Sequence, residues 1–216
     1  KVGTTIVSRN RSLGAKFIEK HKDKFNVIIM DDGLQNYQLK QDIKFLLIDK
    51  NLKLGNGYCL PAGPLRQSIK NGLTDIDRIV ITGENKKKET EFMKTFKIPL
   101  ISSKTKVTNL PKIKKEKLLA FCGLANPSKF YQTLNENGYI ISITKTFPDH
   151  YAYKRHDIDQ LISNAKKEKL KLITTEKDYV KIRENNNNIH FLPIKMELSG
   201  KDKLNFETFL QEKLNA

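Results

Sequence analysis

The chain has 216 residues, 30% charged and 38% hydrophobic, and its 40 Lys and Arg against 24 Asp and Glu leave a net charge of +16. With 11 Gly, 7 Pro and 2 Cys it is not a collagen-like repeat, a disulfide scaffold or a wholly disordered tail, and its length allows one large domain or two small ones around a real core. No apolar run nears the ~20 residues that cross a bilayer, and no basic-then-apolar leader opens the sequence, so a soluble globular chain is expected.

In chain order, short apolar runs predict strands at Thr4–Val7, Val27–Met30, Lys44–Ile48, Arg78–Thr82, Leu100–Ser102, Leu118–Phe121, Ile140–Thr144, Leu172–Thr174 and Ile189–Leu192. Helix-period stretches lie between several of them. Ala15, Phe17, Ile18 and His21 share one face behind Ser12 as N-cap, and Glu89–Phe96, Pro127–Asn137, Ile158–Ala165 and Phe206–Leu214 behave similarly. Continuous apolar strands alternating with helices predict an α/β fold, a mainly parallel sheet with helices on both faces. The Lys-rich stretch Ser103–Lys117 contains Pro111 and lacks a period, which marks a boundary between two α/β blocks. The run Asn185–Asn188 reads as a solvated loop. Lys1 rather than Met stands first, directly before a strand pattern, so further sequence upstream is expected.

The positive surplus fits nucleic acid, an anionic membrane surface or a phosphorylated substrate. It fits as well a coding bias toward Lys and Asn, since only six of the 40 basic residues are Arg. Cys59 and Cys122 stand apart from any Cys-x-x-Cys pair or Cys/His cluster, so reduced structural thiols in a cytosolic protein, and no zinc site, are expected.

Four segments carry chemistry. Val27–Met30 runs into Asp31-Asp32-Gly33, which sets carboxylates at the C-terminal tip of an apolar strand, where open α/β sheets bind ligands and where a Walker-B carboxylate holds Mg²⁺. An ordinary strand exit with a capping Asp has the same pattern. The loop from Leu54 to Arg66 holds three Gly and two Pro, so its path is tightly prescribed, and it ends on an Arg suited to bidentate capture of phosphate or carboxylate. In Phe147-Pro148-Asp149-His150-Tyr151 a turn carries a histidine beside a carboxylate, a pairing suited to proton transfer, while His21, His156 and His190 read as bystanders. Thr174-Thr175-Glu176-Lys177-Asp178 reads first as a capping box, with Asp in place of Glu or Gln. No GxxxxGK[ST] and no GxGxxG occurs in the 216 residues.

Together and in this order, these segments resemble the tetraacyldisaccharide 4'-kinase family, the lipid A 4'-kinases. Asp31-Asp32-Gly33-Leu34-Gln35 and Gly55-Asn56-Gly57…Leu60-Pro61-Ala62-Gly63-Pro64-Leu65-Arg66 are similar to its two most recognisable motifs. The segments at Phe147–Tyr151 and Thr174–Asp178 match two more, and Phe121–Pro127 resembles the opening of its second domain. The resemblance implies an incomplete P-loop-kinase-like core in residues 1–110, a smaller α/β domain in 111–203, and a C-terminal helix in 204–216 packing back on the first. It implies a phosphotransferase that moves the γ-phosphoryl of ATP, with Mg²⁺, to the 4'-hydroxyl of a tetraacyl glucosamine disaccharide 1-phosphate. Such an enzyme works peripherally at the cytoplasmic face of the bacterial inner membrane. Its partners are the lipid A disaccharide precursor and the anionic membrane surface, not nucleic acid.

Carried over residue by residue, Asp31 and Asp32 hold the metal. Gln35, Arg66, Arg9, Arg11 and Asn56 line the nucleotide and substrate cleft, and His150 assists an aspartate base. Three features depart from the family. The P-loop and the acidic motif with the catalytic aspartate are absent, as is the membrane-associating helix, and Asn36 stands where the family usually has His. The chain alone is therefore expected to be inactive. One alternative is a non-catalytic basic module for anionic lipid or nucleic acid, although scarce Arg and absent Trp argue against nucleic acid. Another is a folded remnant without function.

Overall fold

The structure is a computed structural model and describes residues 3–21, 24–50, 52–83, 97–109, 111, 113, 115–182, 188–198 and 200–215. The helix expected at Glu89–Phe96 and most of the four-Asn run lie outside the described residues. The chain divides into two units, Lys1–Lys104 with Leu198–Ala216, and Thr105–Glu197.

In the first unit, helix α1 covers Arg11–Glu19. Its cap is Asn10, not Ser12, because the Asn10 carboxamide oxygen accepts from Leu13 N at 3.1 Å, which puts Ser12 inside the first turn. Strand β1 (Phe45–Asp49), the short helix α2 (Ile69–Gly72), β2 (Arg78–Thr82) and β3 (Leu100–Val107) follow. The strands β1, β2 and β3 pair in parallel. Ile48, Ile79 and Ile81 form the buried core of this unit. Helix α6 (Gly200–Leu214) lays Phe206 and Phe209 against Phe45, and the Arg78 guanidinium stacks 3.9 Å from the Phe209 ring centre.

Two expected strands are absent. Thr4–Val7 and Val27–Met30 are irregular and pair with no strand among the described residues, and their apolar side chains stay open, Val7 at 93% and Ile29 at 83% exposure. An apolar run signals a preference for burial, but a strand also needs a neighbour to receive its N–H and C=O groups. Strand β3 continues to Val107, so the start of the Ser103–Lys117 stretch is regular, and β8 (Ile194–Leu198), not among the expected strands, joins the same sheet in the order β1-β2-β3-β8. The division between units falls at 104/105, inside the stretch expected to mark a boundary, and at 197/198.

The second unit is built on β4 (Lys117–Cys122), whose last five residues are all buried. Alternate side chains point to opposite faces of a strand. Leu118, Ala120 and Cys122 pack with Phe130 and Leu134 of helix α3 (Pro127–Glu136), while Leu119 and Phe121 pack with Ile158, Leu161 and Ala165 of α4 (Arg155–Lys167). Each Leu, Ile or Phe among them taken fully from water contributes about 1.5–3 kcal/mol, so this central strand anchors the unit. Strands β5 (Ile140–Thr146), β6 (Lys171–Thr175) and β7 (Ile189–Leu192) complete a parallel sheet in the order β5-β4-β6-β7. Helices lie on both of its faces, as the alternation of strand and helix patterns led us to expect. A one-turn helix, α5 (Glu176–Tyr179), follows β6 directly and is capped by Thr175, whose hydroxyl accepts from Asp178 N at 3.0 Å.

Candidate functional site

Residues expected to carry chemistry occur in both units. In the first, Asp31 and Asp32 follow Met30 into a turn in which Asp32 takes a left-handed backbone (φ 51°) and Asn36 N donates to the Gly33 carbonyl. Gln41, which carried no signal in the sequence, secures that turn, because its amide donates to the Gly33 and Asn36 carbonyls at 2.7 and 3.0 Å. The Arg66 guanidinium meets Asp32 Oδ2 at 2.6 Å, and Arg11 Nη2 donates to the Asp31 carbonyl at 3.3 Å. Four residues singled out in the sequence, Arg11, Asp31, Asp32 and Arg66, thus share one exposed cluster although 55 positions separate the first from the last.

The glycine- and proline-rich loop delivers Arg66 to this cluster. Its two limbs are tied by Leu60 N to the Leu65 carbonyl at 2.9 Å and Leu65 N to the Tyr58 carbonyl at 3.1 Å. Gly63 lies against the Tyr58 carbonyl and the Asn56 side chain so closely that a Cβ there would collide with both. Asn56 is turned inward: its amide donates to the Ala62 carbonyl at 2.8 Å, and its oxygen accepts from Tyr58 N at 3.2 Å. Its polar groups shape the loop. Gln35 is half-buried, and Arg9 is exposed one residue before the Asn10 cap.

Among the described residues no group of three or more His, Cys, Asp or Glu side chains is arranged to hold a metal. Two adjacent carboxylates still suit Mg²⁺, which keeps several waters and takes one or two carboxylates together with phosphate oxygens. Hard oxygen donors beside an Arg fork match a metal-bound polyphosphate better than a soft metal.

In the second unit, β4, β5 and β6 run in parallel, so their carboxyl ends lie along one edge of the sheet. The chain leaves β4 toward β5 and leaves β6 toward β7 on the other side, so β4 and β6 flank a topological switch point, the usual ligand crevice of an open parallel sheet. The β5 exit carries His150 in a turn closed by Tyr151 N donating to the Pro148 carbonyl at 3.2 Å, with His150 at φ 57°. The imidazole is exposed, with Nε2 at 3.7 Å from Asp149 Oδ2. Lys177, from α5, reaches the other Asp149 oxygen at 3.4 Å. Partial burial pushes the Asp149 carboxyl up, but the His150 N–H, Lys177 and His150 together outweigh it and hold the group below the usual carboxylate range.

An aromatic group of Phe121, Phe147, Tyr151 and Tyr153 supports the turn from below, with ring centres 4.9–6.5 Å apart. Under the β4 exit, Asp178 is fully buried and accepts from Gly123 N, the Thr175 hydroxyl and Lys181 Nζ, each at 2.9 Å. Burial, then the Asp178 charge, pushes the Tyr153 phenol far up. Both cysteines are free; Cys122 is buried, which raises its thiol and leaves it a packing residue. The sequence marked Asp178 first as a cap and Lys177 and Asp178 as part of a motif resembling the family's, without a role for either, and gave no sign of Lys181 or Tyr153.

A family model described as "Tetraacyldisaccharide-1-P 4'-kinase" matches residues 1–215. The tetraacyldisaccharide 4'-kinase of Rickettsia akari (strain Hartford) is 35% identical over 210 residues, 97% of this chain and 63% of that protein. That of Chelativorans sp. (strain BNC1) is 35% identical over 181 residues, 83% of this chain and 52% of that protein. Among solved structures, the "apo" form of LpxK from Aquifex aeolicus in complex with ATP aligns with a TM-score of 0.63 and 26% identity, over 91% of this chain and 60% of that one. The chain thus spans somewhat over half to just under two thirds of the length of these relatives. Its ordered motifs, its two parallel α/β units and a match over nearly every residue agree: the chain belongs to the tetraacyldisaccharide-1-P 4'-kinase family.

Proposed function

We propose that this chain is the greater part of a kinase that transfers the γ-phosphoryl of ATP to the 4'-hydroxyl of a tetraacyl glucosamine disaccharide 1-phosphate in lipid A biosynthesis. The observation that carries the reading is the cluster of Asp31, Asp32, Arg11 and Arg66, a carboxylate pair and two Arg gathered from distant parts of the chain. Phosphoryl transfer depends mainly on positioning and on charge neutralisation, so such a cluster supplies what the chemistry needs.

In this reading Asp31 and Asp32 hold Mg²⁺, which when bound would neutralise charge on the phosphate oxygens. Arg66 leaves Asp32 to grip a phosphate with its planar fork, and Arg11, anchored by the Asp31 carbonyl, adds a second cation. Gln35 and Arg9 line the same cleft, whereas Asn56 acts indirectly by shaping the Arg66 loop. His150 assists an aspartate in taking the proton of the acceptor hydroxyl, and Asp149, kept ionised, favours the imidazolium that forms.

The protein acts peripherally at the cytoplasmic face of the inner membrane. Among the described residues no helix is long and apolar enough to cross a membrane. Surplus Lys attracts an anionic surface at about 1 kcal/mol for each residue close to it.

Incubating protein expressed from the complete gene with ATP, Mg²⁺ and the tetraacyldisaccharide 1-phosphate tests the proposal. A 4'-phosphorylated product is expected, and a folded protein that makes none refutes it. These 216 residues contain no GxxxxGK[ST] cradle, so no turnover is expected from them alone.

A further inference from the structure

We infer that Asp178 is a positioning residue that holds the Asp149–His150 turn in place through Gly123. The inference rests on the proposed role of His150 and adds a group that does not touch the substrate.

The geometry runs in two steps. Asp178, on α5 behind β6, accepts from Gly123 N at 2.9 Å and so ties together the two strand exits that flank the switch point. Gly123 in turn is a seat for the turn: a Cβ built on it would lie 3.1 Å from the Pro148 carbonyl oxygen, 3.3 Å from the Tyr153 hydroxyl and 3.4 Å from Asp178 Oδ1. That Pro148 oxygen is the acceptor that closes the turn bearing Asp149 and His150, and Phe147 N is fixed to the Cys122 carbonyl at 2.9 Å. A shift of the Gly123 peptide therefore moves the acceptor on which the His150 backbone conformation depends.

A cap alone would not need this arrangement. Capping of α5 is already supplied by the Thr175 hydroxyl on Asp178 N, and exposed Asp residues cap helices without burial. Here a carboxylate is taken fully out of water, which is costly unless its oxygens are hydrogen-bonded and its charge is paired, and Gly123 and Thr175 on Oδ2 with Lys181 on Oδ1 supply both. The residue before it, Lys177, meets Asp149 at 3.4 Å. One short helix thus grips the turn from its carboxylate side chain and from beneath its backbone.

The test uses protein expressed from the complete gene and labelled at histidine Cε1. In Asp178→Asn, the His150 Cε1–H resonance, assigned by its loss in His150→Ala, is expected to move while those of His156 and His190 stay in place. Turnover is expected to fall about 10–100-fold at unchanged KM for ATP, the scale of a displacement near 1 Å. In a His150→Ala background, Asp178→Asn is expected to cost less than about twofold more, because both changes act through one group. An unmoved His150 resonance in folded Asp178→Asn overturns the inference, as does an undiminished Asp178 effect in that background. Should Asp178→Asn not fold, Gly123→Ala, which presses on the Pro148 oxygen and leaves the carboxylate in place, carries the same two readouts. Wild-type turnover in His150→Ala would instead sink the proposed role of His150, a result separate from the resonance.

Discussion

Replacing Arg66 separates a structural cation from one kept for a ligand. Its contact with Asp32 is short, at 2.6 Å, yet the two side chains are 60% and 61% exposed. An exposed pair contributes at most about 1 kcal/mol, because water and salt screen it and two flexible side chains must be ordered. Arg66→Ala should therefore lower Tm by no more than about 2–4 °C in a protein of this size. If Arg66 instead meets a phosphate, its charge-assisted bonds are worth about 1.5–3 kcal/mol in the ligand complex. That corresponds to roughly a 10–150-fold loss in kcat/KM at about 1.4 kcal/mol per factor of ten. Arg66→Lys keeps the charge but loses the fork and should fall between the two. Thermal melts and steady-state kinetics on the complete protein supply both numbers. A melt lowered by 10 °C or more would mean that Arg66 holds its loop together, and wild-type kcat/KM in a stable Arg66→Ala protein would refute the reasoning.

Asp31→Asn keeps the size of the side chain at an exposed position and should abolish most Mg²⁺-dependent transfer with little change in Tm; wild-type turnover would remove Asp31 from the metal site. Leu134→Ala empties a fully buried site between α3 and β4 and should cost about 2–5 kcal/mol, read by urea unfolding of the complete protein. Asp157 lies below its ordinary value of 3.8, first because the Lys154 N–H donates to it and then through Tyr151 and His156, against a smaller upward push from burial. Its contribution is fully present above that ordinary value and is lost as pH falls through the lowered one. Asp157→Asn should therefore lower stability near neutrality and flatten the acid limb of a pH–Tm profile below about pH 4, and an unchanged acid limb would count against the pairing.

Where burial pattern and hydrogen-bond partners coincide in sequence, the fold was legible. Arg78–Thr82 is a strand at the expected bounds because its apolar centre lies between β1 and β3, which both pair with it, and Ile189–Leu192 is one at the sheet edge, paired with β6. Val27–Met30 shows the limit of that logic: its pattern is as strong, yet a strand is a property of two segments, and a single sequence shows only one. The strand Ile194–Leu198 fails the other way: Ile194, Met196 and Leu198 alternate with Lys195 and Glu197, the period of a strand with one polar face, and a search for continuous apolar runs passes over it. At the candidate site, residue type singled out Asp31, Asp32, Arg66 and His150, because carboxylate, guanidinium and imidazole groups are charged or proton-active in any setting. Asp178 was hidden because its local spacing already had a sufficient explanation as a cap. Its second role depends on Gly123, 55 positions earlier, and no local pattern records that contact.

The structure also bears on whether the basic surplus is compositional. A bias toward Lys codons explains many Lys but does not say where the few Arg should fall. Of six Arg, Arg11 and Arg66 converge on the Asp31–Asp32 turn, and Arg78 lies flat on the Phe209 ring. The Arg78 contact uses the face of the guanidinium, which an ammonium lacks, while Arg11 and Arg66 each place one guanidinium nitrogen on the turn. Several Lys contacts are looser: Lys40, Lys106 and Lys203 make pairs of 3.5–3.8 Å with exposed carboxylates, whereas Lys181 meets the buried Asp178 at 2.9 Å. If Arg66 grips a phosphate as proposed, its planar fork matters as well as its charge, so a Lys-for-Arg exchange at position 66 should cost more turnover than the same exchange at Arg155, which lies on α4 with its Nε 4.0 Å from Asp159.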